Sequence, residues 1–185
     1  MIEKKAPLVV REATVEDAPA ISRIGSVAFP AVHDDIAGRE FSAAVVAQTY
    51  SIPALVASIS HCAATDSARF IVAERGGDVI GYLHYDCEGR EPELHRIYVD
   101  PGQKGGGIGT ALMHDLHEWL PPGSTYVLLV AEANVDAQGF YARHGLTLEG
   151  CVDGNAHYGN AMSIQVDEAP QEAPALLLRF TKPIQ

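Results

Sequence analysis

A glycine-rich stretch at residues 100–110 is the feature that most constrains how this 185-residue chain can fold. It follows a β-prone apolar run at residues 94–99 and precedes a run with helical spacing at residues 111–120. Five of its eleven residues are glycine, which lets the main chain curl so that several N–H groups point inward. The start of a helix adds a partial positive charge from its unpaired amides. A strand, a glycine loop and a helix start in this order predict a site for a phosphorylated cofactor.

The glycine spacing excludes two familiar phosphate-binding loops. The nucleoside-triphosphate loop requires a lysine where this chain has Ile108. The dinucleotide loop requires a third glycine where the pair Gly105 and Gly107 is followed by Thr110. The spacing that remains is Lys-Gly-Gly-Gly-Ile-Gly at residues 104–109. A tight connection without a ligand is the alternative, because glycine suits any sharp turn.

A second pattern lies downstream, at residues 134–146. Asn134 is a suitable helix N-cap, apolar and aromatic residues then recur at helical spacing, and Gly145 is a suitable left-handed stop. The residues just before it, 125–131, form a continuous β-prone apolar run that is typical of a buried strand. The pattern predicts a strand followed by a capped helix.

Together, the two motifs resemble motifs A and B of the GCN5-related N-acetyltransferase (GNAT) superfamily. The loop resembles Q/R-x-x-G-x-G/A, with Lys104 where Gln or Arg is usual, and residues 134–146 resemble N-x-x-A-x-x-x-Y followed by a Gly-hydrophobic pair. The resemblance is strongest over residues 8–150. It implies an α/β GNAT fold with a mixed, mostly antiparallel central sheet of six to seven strands. About four helices should flank this sheet, which should splay between strands 4 and 5.

The resemblance implies one N-acetyltransferase domain over residues 1–185, with a long loop at residues 151–174 and a closing strand at residues 175–181. Such an enzyme is an acyltransferase that moves the acetyl group of acetyl-CoA to a primary amine by direct attack in a ternary complex. Two alternatives are a catalytically silent acyl-CoA-binding or sensor module and a transferase that uses a longer acyl-CoA. In the family, the glycine loop binds the pyrophosphate and the asparagine of motif B reaches the pantetheine arm. The expected cofactor-binding residues are Ile97, Val99, Lys104, Gly105, Gly107, Gly109, Thr110 and Asn134.

Acetyl transfer to an amine requires a group that removes a proton, since a lysine-type ammonium has a pKa near ~10.4. Glu93 and His95 are two residues apart on the predicted strand 4, and an extended backbone presents both on one face. Glu93 falls where histone-type members of the family carry a glutamate, and His95 where arylalkylamine-type members carry a histidine. Either residue is a candidate base, directly or through a water. The alternative is that both are ordinary polar residues at a strand edge.

Tyr141 is the candidate acid for the leaving group. Collapse of the tetrahedral intermediate expels the CoA thiolate, and a phenol of pKa near ~10 can hydrogen-bond to it or protonate it. In family members with a catalytic tyrosine, that residue lies where Tyr141 stands. The alternative is a tyrosine that packs on the sheet beside Phe140.

The remaining elements follow from local patterns. Residues 8–13 predict a first strand, and Thr14 with Asp17 predicts a capped helix that runs to about residue 29. Residues 41–60 predict a helix interrupted near Ile52-Pro53. Residues 69–85 predict a hairpin around Arg75-Gly76-Gly77.

Composition favours one globular domain, with 47% hydrophobic residues. No run of 18 apolar residues occurs and the N-terminus lacks a signal-peptide core, so we expect no membrane span. Three scattered cysteines predict reduced thiols and a cytoplasmic location. The net charge of −11 argues against nucleic acid as a partner. A small-molecule amine is the expected partner, and the family allows a homodimer.

Acidic residues shape the expectation for the acceptor. His33-Asp34-Asp35 lies between the first predicted helices, where the family builds one wall of the acceptor site, and these residues could recognise a cation. The interpretation that we favour is an exposed acidic turn. Further acids follow in the late loop at Asp153, Asp167 and Glu168. Together these residues would favour a cationic amine. Other candidate acceptor contacts in that loop are His157, Tyr158 and Asn160. No metal is expected, because residues 114–118 read H-x-x-H-E and not the zincin order H-E-x-x-H.

Overall fold

The structure, a computed structural model, describes residues 6–87, 91–154 and 176–184. These residues form a seven-stranded sheet in the order β1-β2-β3-β4-β5-β7-β6. Only β4 and β5 run parallel, and the other neighbours are antiparallel. The strands are β1 Leu8–Glu12, β2 Ala68–Arg75, β3 Asp78–Asp86, β4 Glu93–Val99, β5 Thr125–Ala131, β6 Thr147–Asp153 and β7 Leu176–Pro183. The predicted six- to seven-stranded mixed sheet is confirmed.

Helices cover both faces of the sheet. The described residues form α1 Ala18–Ala28, α2 Pro30–Ala37, α3 Arg39–Thr49, α4 Ile52–Ala63, α5 Ile108–Trp119 and α6 Val135–Arg143, with 3₁₀ turns at Val15–Asp17 and Pro101–Gln103. One apolar core lies between the sheet and α1 to α4, and a second lies between the sheet and α5 and α6. The helices number six where about four were expected, because the segment before β2 is divided into four.

The predicted break in the second helical segment is present. α3 ends at Thr49, and α4 begins at Ile52 after Ser51, whose hydroxyl accepts a hydrogen bond from the N–H of Ala54. Pro53 lies in the first turn of α4, where its missing N–H costs no helical hydrogen bond. The break therefore follows from an N-cap and a proline together.

The interpretation of residues 33–35 as an exposed turn is wrong, because they lie inside α2. Pro30 begins this helix directly after α1, and Gly38 follows its last residue. His33 is only 8% exposed, and its ring stacks on Phe29 with a centroid distance of 4.0 Å. The two aspartates suggested a turn, but they belong to an amphipathic helix that carries His33 on its buried side.

The sheet splays between β4 and β5, as predicted. In the described residues these two strands have a single register pair, Glu93 with Val127, whereas β5 pairs with β7 from Thr125 to Ala131. Beyond that pair the two parallel strands separate. The gap opens toward the C-terminal end of β4, where the glycine loop begins.

The late part of the chain bears on two predictions. The closing strand expected at residues 175–181 is β7, whereas residues 151–153 of the expected loop belong to β6. β6 extends that far because it pairs with β7 up to Asp153 and Leu176. The rest of the loop, with candidates His157, Tyr158, Asn160, Asp167 and Glu168, lies outside the described residues.

In the described parts of the chain, no helix by itself has the length and apolar character to cross a membrane. Together, α3 and α4 have that length and apolar character, but they are bent by 54° at their junction. Leu55 and Ile59 of α4 are buried in the core on the first face of the sheet.

Candidate active site

A cavity of about 650 Å³ occupies the gap between β4 and β5. Its walls come from both strands, the glycine loop, α6 and the α1–α2 region. The cavity is lined by ten of the eleven residues predicted for the site: His95, Ile97, Val99, Lys104, Gly105, Gly107, Gly109, Thr110, Asn134 and Tyr141. Glu93 is the one predicted residue that does not line it. Residues separated by up to 46 positions in the sequence therefore meet in one space.

The glycine loop ends in the first turn of α5. Gly105 and Gly107 have φ of +79° and +74°, in the left-handed region that L side chains rarely adopt. Gly107 is the N-cap of α5, so the unpaired amides of the first helical turn begin at the cavity. The start of the loop is anchored by Asp100, which accepts hydrogen bonds from the N–H of Gly102 at 3.0 Å and from Arg23 at 2.6 Å. This is a preformed anion-binding arrangement.

The predicted capped helix of the second motif is α6. The side-chain oxygen of Asn134 accepts a hydrogen bond from the N–H of Ala137 at 3.2 Å, and Gly145 has φ of +79° just after the helix. Because capping uses the oxygen of Asn134, its amide NH₂ can still donate to a ligand in the cavity. The capping and ligand-binding roles of Asn134 are therefore compatible.

A β-bulge in β4 shapes the centre of the cavity wall. His84 of β3 pairs with Arg96 and Tyr85 pairs with Leu94, so His95 is an extra residue without a partner in the register. Leu94 is buried in the core beside α5, whereas His95 contacts the ring of His84 at 5.1 Å and Arg96 lies over Tyr50. The bulge therefore turns two consecutive side chains, His95 and Arg96, away from Leu94.

The imidazole of His95 lies between two carboxylates. Its Nδ1 is 3.6 Å from Oε1 of Glu93, and its Nε2 is 3.5 Å from Oδ2 of Asp86. The side chain of His95 is 36% exposed, while those of Glu93 and Asp86 are less so. Neighbouring carboxylates can orient an imidazole by accepting hydrogen bonds from its ring N–H groups. Glu93 and His95 thus meet, as the two-residue spacing predicted, with His95 toward the cavity.

Tyr141 enters the cavity from α6. Its ring packs against Phe140 at 5.3 Å and Phe180 at 6.5 Å between centroids. Burial raises the pKa of its hydroxyl above the ordinary value. The phenol therefore stays protonated at neutral pH and is suited to donate.

Two further polar side chains line the cavity: His33, which the resemblance placed near one wall of the acceptor site, and Arg96, for which the sequence made no prediction. His33 of α2 has its Nδ1 3.0 Å from the carbonyl oxygen of Phe29, and burial lowers the pKa of its imidazole despite that bond and the nearby Asp34. Arg96 of β4 lines the cavity beside His95. Strict alternation would have placed Arg96 on the opposite face from His95, and no sequence signal indicates the bulge.

The described residues do not support the expected acidic field at the cavity. Asp34 and Asp35 are not among the lining residues, and Asp34 lies 3.9 Å from Arg39. The charged side chains of the described lining are Arg96, Lys104, Arg143 and one acid, Asp136. These lining side chains therefore carry a net positive charge.

No group of three or more His, Cys, Asp or Glu side chains within residues 6–87, 91–154 and 176–184 could hold a metal ion. The H-x-x-H-E residues point to different partners. His114 pairs with Glu118 on an exposed helix face, and His117 lies 2.7 Å from the hydroxyl of Tyr126.

Comparisons with known proteins agree with this architecture. Residues 66–146 match the model of the acetyltransferase (GNAT) domain, from β2 through α6 and across the glycine loop. Over these residues, which are less than half of the chain, the sequence is similar to a GNAT domain. PaiA N-acetyltransferase of Thermoplasma acidophilum, solved in complex with coenzyme A, has the same fold with a TM-score of 0.72 over 94% of this chain and 98% of that one, at 16% identity. Ribosomal-protein-alanine N-acetyltransferase of Brucella melitensis has a TM-score of 0.69 over 95% and 99%, at 20% identity.

Relatives by sequence are similar over less than half of this chain. An uncharacterized N-acetyltransferase of Methanocaldococcus jannaschii is 36% identical over 98 residues, which are 48% of this chain and 43% of the relative. Mycothiol acetyltransferase of Thermobispora bispora is 35% identical over 91 residues, 44% of this chain and 31% of the relative. The chain therefore spans less than half the length of these two relatives.

Proposed function

We propose that this protein is an N-acetyltransferase that moves the acetyl group of acetyl-CoA to a primary amine by direct attack in a ternary complex. The observation that carries the proposal is the single cavity in which the glycine loop, the splayed edge of β4, His95 and Tyr141 all meet. A phosphate-binding end and a proton-transfer end in one cleft are what this reaction requires.

The cofactor end would be built largely from main chain. The amides at Gly105, Gly107, Gly109 and Thr110 would hold the pyrophosphate at the start of α5, where the helix dipole favours negative charge. Lys104 would add a mobile positive charge. Beyond Glu93, the edge of β4 that faces β5 has no register partner in the described chain. Its backbone at Ile97 and Val99 can therefore pair with the amides of the pantetheine arm, as an added strand would.

The acceptor amine must lose a proton before or during attack. His95 would accept that proton, because it lines the cavity and lies four residues back from Val99, about 13 Å along the strand at ~3.3 Å per residue. Glu93 would act as a positioning residue that orients the imidazole from behind. The neutral amine nitrogen then attacks the thioester carbonyl and forms a C–N bond. As this tetrahedral adduct collapses, the C–S bond breaks and the nitrogen loses its second proton to water.

The electron pair of the broken C–S bond leaves on sulfur. Tyr141 would donate its phenolic proton to that thiolate, since burial keeps the hydroxyl protonated at working pH. Between turnovers, His95 releases its proton to solvent and Tyr141 regains one from solvent. The proposal thus assigns the first proton of the acceptor to His95 and the proton of the leaving group to Tyr141.

The test measures acetyl-CoA binding by calorimetry and free CoA release with a panel of amines. The panel holds polyamines, amino sugars, arylalkylamines, amino acids and short peptides. Release that depends on one amine class, with the acetylated amine found by mass spectrometry, is the expected result. Tight acetyl-CoA binding without transfer to any amine would favour a silent sensor module, and tighter binding of a longer acyl-CoA would favour the other alternative.

A further inference from the structure

We infer that Arg96 is the acceptor-specificity residue of this site and that it binds a carboxylate carried by the acceptor amine. This inference rests on the proposed function, because it names the substrate class of the same cavity. The bulge at His95 is its structural origin. It places the guanidinium next to the proposed proton acceptor on the same side of β4.

The hydrogen bonds of Arg96 go to uncharged acceptors. Its Nε and Nη2 lie 3.3 Å and 3.2 Å from Nδ1 of His84, and its Nη1 lies 3.4 Å from the carbonyl oxygen of Thr49. Burial, followed by the nearby charge of Arg96 itself, lowers the pKa of His84 well below its ordinary value, so that imidazole is neutral. A guanidinium has five N–H donors, so these contacts leave at most the second N–H of Nη1 and of Nη2 for a ligand.

The guanidinium is also held in place by aromatic rings. Its carbon lies 5.5 Å from the centroid of Tyr50 and 5.7 Å from that of Phe70, both of which are buried in the core. Such contacts fix the orientation of the planar group but do not neutralise it. Arg96 is therefore a preorganised, partly buried cation.

No carboxylate of the described residues lies within ion-pair distance of Arg96, although other arginines of the chain form such pairs. A partly buried charge without a counterion is unfavourable unless a ligand supplies one. Within the described lining the acid is Asp136 of α6, whereas Asp86 and Glu93 contact His95 and do not line the cavity. The pyrophosphate of the cofactor would lie at the other end of β4. An anion that reaches Arg96 from the cavity would therefore come from the acceptor, and a free α-amino acid has both required groups.

The experiment compares matched acceptors that differ only in the carboxylate. We would measure kcat/KM for alanine, methionine and phenylalanine against their carboxamides, in the wild type and in Arg96→Gln, Arg96→Lys and Arg39→Gln. Arg39 is the control, because its side chain is 91% exposed and does not line the cavity. The amine of a carboxamide is the less basic of each pair. At a given pH more of the carboxamide is present as free amine, so the carboxamide should have the higher kcat/KM unless the enzyme binds the carboxylate.

We expect the wild type and Arg39→Gln to prefer the free acids at least tenfold. Arg96→Gln should lose that preference through KM, and Arg96→Lys should keep part of it because the charge remains. A wild-type preference for the carboxamides would overturn the inference. So would an Arg96→Gln variant that loses kcat equally for both members of each pair, since Arg96 would then serve the reaction or the packing.

A binding measurement separates this inference from the proposed function. Calorimetry in the presence of CoA compares N-acetylphenylalanine with N-acetylphenylalaninamide, and thermal unfolding checks that each variant is folded. Tighter binding of the acid that disappears in Arg96→Gln would support the inference even if no amine were acetylated. Equal binding of the two compounds would overturn it while leaving acetyl transfer intact.

Discussion

The Nδ1 atom of His95 lies 3.6 Å from Oε1 of Glu93, and of these two side chains only the imidazole lines the cavity. Both residues were candidates for the base from their spacing on β4. We propose that the imidazole is the base and the carboxylate its positioning group, because a group outside the cavity can act on a bound amine only through another group or a water. Four predictions follow from this site and from the packing around it.

Replacing His95 should impair the reaction more than replacing Glu93. His95→Gln should lower kcat/KM by about 10²-fold, a usual effect for one proton-transfer group, whereas Glu93→Gln should cost less. Both losses should be greatest at low pH, where little free amine exists, and should shrink toward the pKa of the amine. The measurement is kcat/KM between pH 6 and pH 10. His114→Gln, on an exposed face of α5, is the control. A His95→Gln enzyme with wild-type rates would contradict the assignment.

Removing the hydroxyl of Tyr141 should slow chemistry without weakening cofactor binding. Tyr141→Phe keeps the packing against Phe140 and Phe180 but lacks the proton donor. We expect kcat to fall by about 10²-fold while the Kd of acetyl-CoA stays within about twofold. Because burial raises the pKa of the phenol, the defect should be similar across pH 6 to 9. Steady-state kinetics and calorimetry on the same preparation decide it, and an unchanged kcat would remove Tyr141 from the mechanism.

A side chain at Gly107 should block the cofactor loop. Gly107 has φ of +74° at the N-cap of α5, so Gly107→Val would strain the loop and crowd its amides. The Kd of acetyl-CoA should rise tenfold or more, about 1.4 kcal/mol or more. Gly123→Val is the matched control, because Gly123 has φ of +85° and does not line the cavity. Both variants should lose stability, but only Gly107→Val should lose affinity. If calorimetry shows an unchanged affinity of folded Gly107→Val for acetyl-CoA, the glycine loop does not bind the phosphates.

Asp17 should make stability depend on acid pH. Burial alone would raise its pKa, but hydrogen bonds from Arg11 at 2.7 and 2.9 Å and from the N–H of Thr14 at 2.8 Å lower it overall. A carboxyl whose folded pKa is depressed contributes stability above its unfolded pKa of about 3.9, and that contribution is lost as the pH falls through the folded value. Asp17→Asn should therefore lower the free energy of unfolding by about 1–3 kcal/mol at pH 7.

The check is urea unfolding of the wild type and Asp17→Asn between pH 7 and pH 2.5. The difference should shrink below about pH 4, where the wild-type carboxyl begins to be protonated. Asp35→Asn, at an exposed position of α2, should change stability by no more than about 0.5 kcal/mol. A constant difference across the whole range would mean that Asp17 contributes through its shape and not its charge.

Much of the cofactor end could be predicted from the sequence because its signals are local. Glycine is the residue type that favours the left-handed backbone seen at Gly105 and Gly107, and asparagine is a preferred N-cap, as seen at Asn134. Their order along the chain carried the resemblance to the GNAT superfamily, which in turn implied the sheet and its splay.

The acceptor end could not be predicted in the same way. The sequence favours an exposed turn at His33, since its acidic neighbours resemble a loop more than the buried face of a helix. Alternation along β4 predicts that Arg96 points away from His95. Both residues owe their places to contacts with distant parts of the chain, at Phe29 within the α1–α2 packing and at His84 on β3.

By itself, the sequence determined most of the elements and the backbone of the glycine loop, because capping, turn conformation and apolar periodicity act over a few residues. Only the tertiary structure decided what the cavity contains. The pairing of β3 with β4 sets the bulge that turns His95 and Arg96 to one side, and the parting of β4 from β5 opens the space they face. Strand register depends on how two strands fit together over a shared core, so it is a property of the assembled sheet and of neither strand alone.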